Sequence, residues 1–397
     1  MAAFTNKRKR ILLTSLSGQL GGMELRLADE ARFLSKIDLQ PVLSVSPFPG
    51  RDPWLDGLVK EIPNCETYEF NPPPFFDEWK WHRFNFVRAN ARWPIRLRQQ
   101  KIDLAHIFYA WTSDGGSRLW LCHKAGIPCV LSVHNAFPTE RYLPWHDRLM
   151  REAFASVKGL YGVSESALDH FLATYGRYIR TNTELSVIPN FADTARFIPS
   201  PARRQSTKDA LGIPEEGIVI GSIGRIEKQK EPLKLLEVFN RIWQSRTDVF
   251  LVLCGKGPLA AEVEKIVDGK PWRSQVRLLG FRPDVENVFP AIDIHVLLSK
   301  QEGFGIATAE AMSCAVPVIA TDVPGSRDVL KDSNAGMLVP YGDLETTIKT
   351  ILWMIESPDQ RRVMGESGRD HVLKYFSKSI CEQNLDCFYN KMLSANP

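Results

Sequence analysis

Short apolar runs alternate with amphipathic stretches along nearly the whole chain. Ile11–Leu16 predicts a first strand, followed by a glycine-bearing turn and a helix over Met23–Leu34. Pro41–Val45 predicts a second strand. Asp103–Phe108 and Pro128–Val133 predict two more, each preceded by a helix, and Gly159–Val163 and Ser186–Ile188 complete the set. Strands that alternate with helices imply parallel pairing with helices on both faces. The pattern breaks at Arg196–Lys208, RFIPSPARRQSTK, which has no periodicity and is expected to be a linker. It then restarts, with strands predicted at Ile218–Ile223, Phe250–Cys254, Val276–Leu279, Ile294–Leu298, Val316–Ala320 and Gly336–Val339. Helices are expected near 231–245, 258–268, 305–314, 325–331 and 343–356. The expectation is an α/β chain with two Rossmann-like, doubly wound halves, residues 1–196 and 209–376. Such sheets bind ligands outside the C-terminal strand ends, and a cleft between two facing halves is the default site.

Composition changes this picture little. The 397 residues suit about two domains. A formal net charge of +4 argues against a nucleic-acid binder that works by bulk charge, although a local basic patch is compatible with it. The seven cysteines include no CxxC pair and several lie in apolar runs, as expected for reduced thiols in a cytoplasmic protein. The basic start Lys7–Arg10 leads into an apolar run too short for a signal peptide. No segment approaches the ~20 apolar residues of a membrane span, so a soluble or membrane-surface protein is expected. Neither half has a G-x-G-x-x-G after its first strand. Gly18, Gly21 and Gly22 are wrongly spaced and Gly221-Ser-Ile-Gly224 supplies only G-x-x-G, which disfavours a dinucleotide dehydrogenase.

The chemistry concentrates in two strand-to-helix turns of the second half. In Gln301-Glu302-Gly303-Phe304-Gly305-Ile306-Ala-Thr-Ala-Glu310, the glycines allow positive φ and close backbone approach of a ligand. The N–H groups of the following helical turn, with the helix dipole, form an anion seat. Glu310, about a turn and a half into that helix, is placed to accept from two ribose hydroxyls, and Glu302 lies on the other side of the anion. The competing reading is a capping Glu302 and a solvated Glu310. In Gly224-Arg225-Ile-Glu-Lys-Gln-Lys230 the half's first strand ends in another glycine turn carrying two cations. These suit a leaving diphosphate, Arg binding in bidentate fashion and Lys as a point charge, and could stabilise charge that develops in a transition state. Surface cations are the plainer alternative.

Taken together, these segments resemble the family 4 retaining glycosyltransferases of GT-B fold. Glu302…Glu310 matches the E-x7-E motif, and Gly224, Arg225 and Lys230 match G-R-x4-K. Gly255-Lys-Gly-Pro258 looks like the family's G-x-G-P turn, Leu279–Val285 like its base-binding loop and Val187–Asp193 like its V-I-P-N-G-V-D. The resemblance spans nearly the whole chain and is strongest over 217–342. It implies that Glu310 binds ribose, Glu302 contacts the donor sugar, the backbone of Gly303–Ile306 holds the diphosphate, and Arg225 and Lys230 hold the leaving phosphate. Arg282, in the base loop, joins the donor site. His134, just past the strand Pro128–Val133, matches the family's strand-end histidine beside the donor sugar; read without the family it is a core or surface histidine. Gly21 and Gly22 match the loop that approaches the transferred sugar and acceptor. The last helix, within 377–397, is expected to pack back on the first domain. Three departures stand out: Glu231 replaces the glycine after Lys230, Pro324-Gly325-Ser-Arg-Asp328 replaces G-G-x-x-E, and Phe191 replaces the glycine of V-I-P-N-G-V-D.

The implied reaction is a retaining transfer of a hexose-like sugar from a UDP- or GDP-sugar to a glycan or lipid-linked acceptor, in cell-surface polysaccharide or glycolipid synthesis. A carboxylate nucleophile on the sugar's far face is one route. No convincing one is visible, so same-face attack, with the leaving phosphate taking the acceptor's proton, is expected. No metal or other cofactor is expected, because the protein supplies the cations and no D-x-D or His/Cys ligand spacing occurs. A catalytically silent nucleotide-sugar binding protein and a GT-B nucleotide-sugar epimerase are the rival readings. Apart from the core motifs, Trp79–Arg98 mixes aromatics with Lys80, Arg83, Arg88, Arg92, Arg96 and Arg98. It is expected to be helical until Pro94. It suits an anionic membrane surface on the cytoplasmic side, or a single-stranded nucleic acid groove, or a plain helix packing Phe84, Val87 and Ala91 on the sheet. No nucleic-acid partner is expected.

Overall fold

The computed structural model describes residues 8–16, 18, 20–75, 83–109, 115–135 and 144–394. Among these residues the strands form two parallel sheets, one in each of two compact units.

The first unit comprises residues 1–188 and 384–397. Its strands are β1 (Arg10–Ser15), β2 (Gln40–Val45), β3 (Glu66–Thr67), β4 (Leu104–Tyr109), β5 (Cys129–Val133), β6 (Val157–Gly162) and β7 (Glu184–Val187). Their order across the sheet is β3-β2-β1-β4-β5-β6-β7, so the chain reverses its direction of travel between β1 and β4. All six residues of β4 and all five of β5 are buried, the polar His106 and Ser132 included, as strands of a sheet covered on both faces should be. The end of helix Lys378–Ser394 belongs to this unit, and Phe388 and Met392 lie so close under Gly159 that an added Cβ would meet the Met392 sulfur at 2.6 Å.

The second unit comprises residues 189–383, with β8 (Ile218–Ile223), β9 (Val249–Cys254), β10 (Val276–Leu278), β11 (Ile294–Leu297), β12 (Val318–Thr321) and β13 (Gly336–Val339). Their order is β10-β9-β8-β11-β12-β13, with the reversal between β8 and β11. Helix Pro232–Trp243 buries Leu235, Leu236, Val238, Phe239 and Ile242 on this sheet, opposite a solvent-facing polar side.

Two expectations need correction. The segment read as a linker contains helix Pro201–Ala210, capped by Ser200, whose hydroxyl accepts from Arg203 N at 3.2 Å, with Pro201 in the first turn. Its anchoring face is polar, which hides it from apolar periodicity. Arg204 pairs with Asp293 at 2.7 Å, and the buried Lys208 donates to the carbonyls of Glu215 and Gly217 at 2.7 and 2.8 Å. The aromatic and basic stretch forms helix Arg83–Gln99, which runs through Pro94 instead of stopping there. Trp79–His82 lie outside the described residues. Ala89, Trp93 and Leu97 form its buried face, whereas Phe84 and Val87, packed on the sheet in one of the three readings, are 70% and 59% exposed. Ala91 and Ile95 continue that outward stripe, flanked by the exposed Arg88 and Arg92.

Candidate donor site and the family of the chain

At the β8/β11 reversal, the two turns singled out in the sequence lie side by side. Their backbones are joined by Lys300 N donating to Gln229 O at 2.8 Å and by Gln229 Nε2 donating to Gln301 O at 2.8 Å. Lys230 closes a short turn after β8, and its ammonium pairs with the buried carboxylate of Glu302. Arg225 pairs with Glu227 at 2.8 Å and its side chain stays 41% exposed. Gly305 has φ +86°, ψ +66° and caps helix Ile306–Ser313. That left-handed turn starts the helix, whose first N–H groups have no acceptor within the helix itself. The Phe304 ring is buried edge-on to Phe376, centroids 5.1 Å apart, so only its backbone is available to a ligand.

Glu310 makes no side-chain hydrogen bond among the described residues. Burial pushes its carboxyl from 4.5 up to about 8, with Arg196 pulling the other way and Glu286 adding to the rise. Arg196 was missed in the sequence because it sits in the apparent linker. It donates to Glu286 at 2.7 Å and to Pro283 O at 2.6 Å, facing the same carboxyl as a counter-charge. Between pH 4.5 and about 8 the folded chain keeps a proton on Glu310 that the unfolded chain has released, so stability from this group falls as pH rises through that window. The melting temperature of the wild type should therefore drop more between pH 5 and 8 than that of Glu310→Gln; parallel curves would contradict the assignment. Arg282 is committed to Asp284 through two bonds, at 2.9 and 2.6 Å, so any contact from it to a ligand must share that fork.

Glycines let neighbouring loops grip these turns. Gly255, at φ +152°, lies so close to Gly224 that an added Cβ would stand 1.8 Å from its carbonyl oxygen. Gly257 is equally tight on Ile226, at 2.3 Å from the carbonyl oxygen. Ile226 N donates to Lys256 O at 2.9 Å and Leu259 N returns to Ile226 O at 3.0 Å. A Cβ on Gly325 would come within 2.6 Å of the Glu302 carbonyl oxygen, which explains why this glycine persists where its predecessor is Pro324. Gly224 itself, at φ +156°, has open space where its Cβ would be.

In the first unit, Gly21 caps helix Gly22–Lys36 and its N–H donates to Glu24 at 3.0 Å. Its backbone is extended and an added Cβ would make only ordinary contact, so neither fold nor packing calls for glycine there. His134 follows β5, stacks on Phe108 with ring centroids 5.3 Å apart, and bonds Ser132 Oγ through Nε2 at 2.9 Å. Burial drives its imidazolium down to about 3, with Arg26 and His106 adding to the fall and Glu30 opposing it. The predicted site residues thus fall into two groups: Gly21, Gly22 and His134 in the first unit, and the remainder in the second.

Residues 203–371 match the model of the glycosyl transferases group 1, and residues 20–196 match that of glycosyltransferase family 4. The chain belongs to glycosyltransferase family 4. Relatives of this transferase include an alpha-maltose-1-phosphate synthase of Mycolicibacterium smegmatis, 27% identical over 66% of this chain and 73% of the relative. A UDP-Gal:alpha-D-GlcNAc-diphosphoundecaprenol alpha-1,3-galactosyltransferase of Escherichia coli is 25% identical over 71% of this chain and 73% of the relative. Among solved structures, HepE of Anabaena in complex with UDP superposes with a TM-score of 0.75 at 20% identity, covering 96% of this chain and all of the other. This agreement places the transferase in the GT-B fold. Its Glu231 departs from the family glycine yet keeps the glycine-like backbone, at φ +51°, ψ +48°. Left-handed backbone costs a side-chain-bearing residue about 1 kcal/mol. Here it is offset by contacts of the Glu231 carboxylate with Tyr341 and with Lys234, the latter at 3.1 Å.

Proposed function

We propose that the transferase moves a hexose-like sugar, with retention of anomeric configuration and without a metal, from a UDP- or GDP-sugar to a glycan or lipid-linked acceptor. The observation that carries this reading is the Lys230–Glu302 contact at the β8/β11 reversal, beside Arg225 and the Gly305 helix start. Two cations and a helix N-terminus on these adjoining turns support the reading, since an anionic leaving group needs such donors. In this reading the diphosphate lies on the N–H groups of Gly303–Ile306, and Glu310, with Arg196 behind it, accepts from the ribose. Glu302 holds Lys230 in place and meets the sugar hydroxyls. Arg225 and Lys230 neutralise the diphosphate as the glycosidic bond breaks, and its oxygen takes the proton of the attacking hydroxyl on the same face. Gly21, for which the fold has no steric use, and Gly22 beside it leave room for the sugar and acceptor.

The nature of the relatives supports a glycan or lipid-linked acceptor: the E. coli protein is named for a diphosphoundecaprenol-linked sugar. The decisive experiment offers UDP-glucose, UDP-galactose and GDP-mannose with short glycan and prenyl-diphosphate-sugar acceptors in EDTA, and reads the product anomer by NMR. Transfer with retention is expected. Inversion, or activity lost in EDTA and restored by Mg²⁺ or Mn²⁺, would refute the mechanism. Free epimer without acceptor would favour an epimerase.

The outward stripe Phe84–Val87–Ala91–Ile95 with its arginines supports a peripheral membrane location on an anionic inner face. No described helix is long and apolar enough to cross a membrane. The protein should sediment with phosphatidylglycerol vesicles at low salt, and Phe84→Ser/Val87→Ser should release it. Equal recovery of both proteins in the supernatant would remove the membrane reading.

A further inference from the structure

The turn Asp193–Phe197 follows the Val187–Asp193 motif, lies wholly in the second unit and has no assigned part in the proposed reaction. Asp193 builds it: its Oδ1 accepts from Ala195 N at 3.1 Å and Arg196 N at 3.2 Å, and its carbonyl accepts from Phe197 N at 2.8 Å. On one side the turn is fastened to the helix that carries Glu310. Ser313, the last residue of that helix, donates through Oγ to Phe197 O at 2.6 Å, and Arg369 bridges the carbonyls of Phe197 and Ser313. On the other side Arg196 Nη2 donates to Pro283 O at 2.6 Å and to Glu286 Oε2 at 2.7 Å.

Those two bonds fasten one end of the loop Leu279–Val285. Its other end is tied to the turn after β9 by Gly255 N donating to Gly280 O at 2.8 Å. Between these anchors lies Arg282, forked on Asp284. Proline has no N–H, so the carbonyl is the only backbone group by which Pro283 can be held. Holding it fixes the plane of the Pro283–Asp284 peptide, from which Asp284 presents its carboxylate to Arg282. A half-exposed ion pair alone would count for little. Here a single guanidinium nitrogen binds a backbone carbonyl and a carboxylate together, which makes the contact a geometric constraint on the loop. A nucleoside imposes a matching demand. Its base and ribose are directly bonded, so a base loop and a ribose carboxylate must stand at a fixed separation, and ordering them before the ligand arrives lowers the cost of binding.

We propose that Arg196 is a positioning residue which, through Pro283 O and Glu286, sets the base loop against the Glu310 helix, so that it governs affinity for the nucleoside part of the donor and takes no part in bond breaking. The proposal rests on the reading of Leu279–Val285 and Glu310 as the nucleoside site. The Asp193–Phe197 turn is then a strut: Ser313 and Arg369 hold it at the ribose side, and Arg196 holds the loop at the base side.

Calorimetric titration of the full-length protein with UDP, GDP and ADP, beside steady-state transfer kinetics, tests this. For the nucleotide that binds the wild type, Arg196→Ala should raise Kd by about ten-fold, the worth of one hydrogen bond to a charged group. KM for the matching sugar nucleotide should rise in parallel, with kcat at saturation unchanged. Arg196→Lys keeps a cation and should recover part of the affinity. Arg203→Ala is the control for the turn itself. Arg203 donates to the Arg196 carbonyl at 3.0 Å and makes no hydrogen bond to the base loop among the described residues, so Kd should stay at the wild-type value. Glu286→Ala frees the same anchor from the loop side and should also raise Kd, which keeps the test open where Arg196→Ala folds poorly. Wild-type Kd in both Arg196→Ala and Glu286→Ala, an equal loss in Arg203→Ala, or a fall in kcat at unchanged Kd would overturn the proposal alone. A wild type that binds none of the three nucleotides would refute the donor-site reading, and the proposal with it.

Discussion

Lys230→Ala is expected to lower turnover by about 10²–10³-fold while acceptor KM changes little, because the lost cation acts on charge that develops as the bond breaks. The same change removes the partner of Glu302, which is only 5% exposed. Breaking a buried ion pair from one side typically costs about 3–5 kcal/mol, since the remaining charge is left in a poor solvent. A drop in activity alone would therefore be ambiguous between chemistry and unfolding. The double variant Lys230→Ala/Glu302→Gln, read against Glu302→Gln alone, separates them. It removes the stranded charge and should recover most of the lost melting temperature without recovering turnover. Lys230→Arg should retain part of the activity, as a cation of different shape. Wild-type turnover in Lys230→Ala, or its return in the double variant, would take Lys230 out of the mechanism.

What could be read from the chain alone was what local pattern and spacing carry. The alternation of runs foretold β8 and β11, and the glycine turns after them placed Lys230, Glu302 and the Gly305 helix start within one or two residues. Fixed spacing at a strand end leaves few geometries, which is why these residues were legible. The partners that complete the site were not. Arg196 and Glu286 lie far from Glu310 in sequence, and nothing in either segment announces a shared carboxyl. Helix Arg83–Gln99 carries two apolar stripes, Phe86–Ala89–Trp93–Leu97 and Phe84–Val87–Ala91–Ile95. Periodicity finds both but cannot say which is buried, and the stripe that the plain-helix reading packed inward is the exposed one. Arg26 and Glu30, four apart on a helix, look like a routine surface pair. Only the fold, by laying Tyr161 and Tyr389 over them, turns that pair into a buried anchor.

The grip of the turn after β9 on the turn after β8 leads to the second large effect. Gly255→Ala should both destabilise the second unit and disable the site. A Cβ 1.8 Å from the Gly224 oxygen cannot be accommodated by a side-chain rotation, because the obstacle is backbone, and the substituted residue would also be strained at φ +152°. One loop must move by about 1 Å or more. The Gly224 N–H bond to Cys254 O and the Ile226 N–H bond to Lys256 O, both 2.9 Å, flank Arg225, so that shift is passed to its guanidinium. A misplacement of that size costs on the order of 10²-fold in rate, and clash with backbone strain costs roughly 2–4 kcal/mol. Gly126→Ala supplies the control for strain alone. Gly126 has φ +77° at the end of helix Gly116–Ala125, with open space around an added Cβ. That variant should lose about 1 kcal/mol and keep full turnover. If Gly255→Ala behaves like Gly126→Ala in both melting and rate, the turn after β9 does not hold Arg225 in place. If turnover falls as expected and Gly257→Ala repeats the loss, the G-x-G-P turn positions the leaving-group cation without itself touching the ligand.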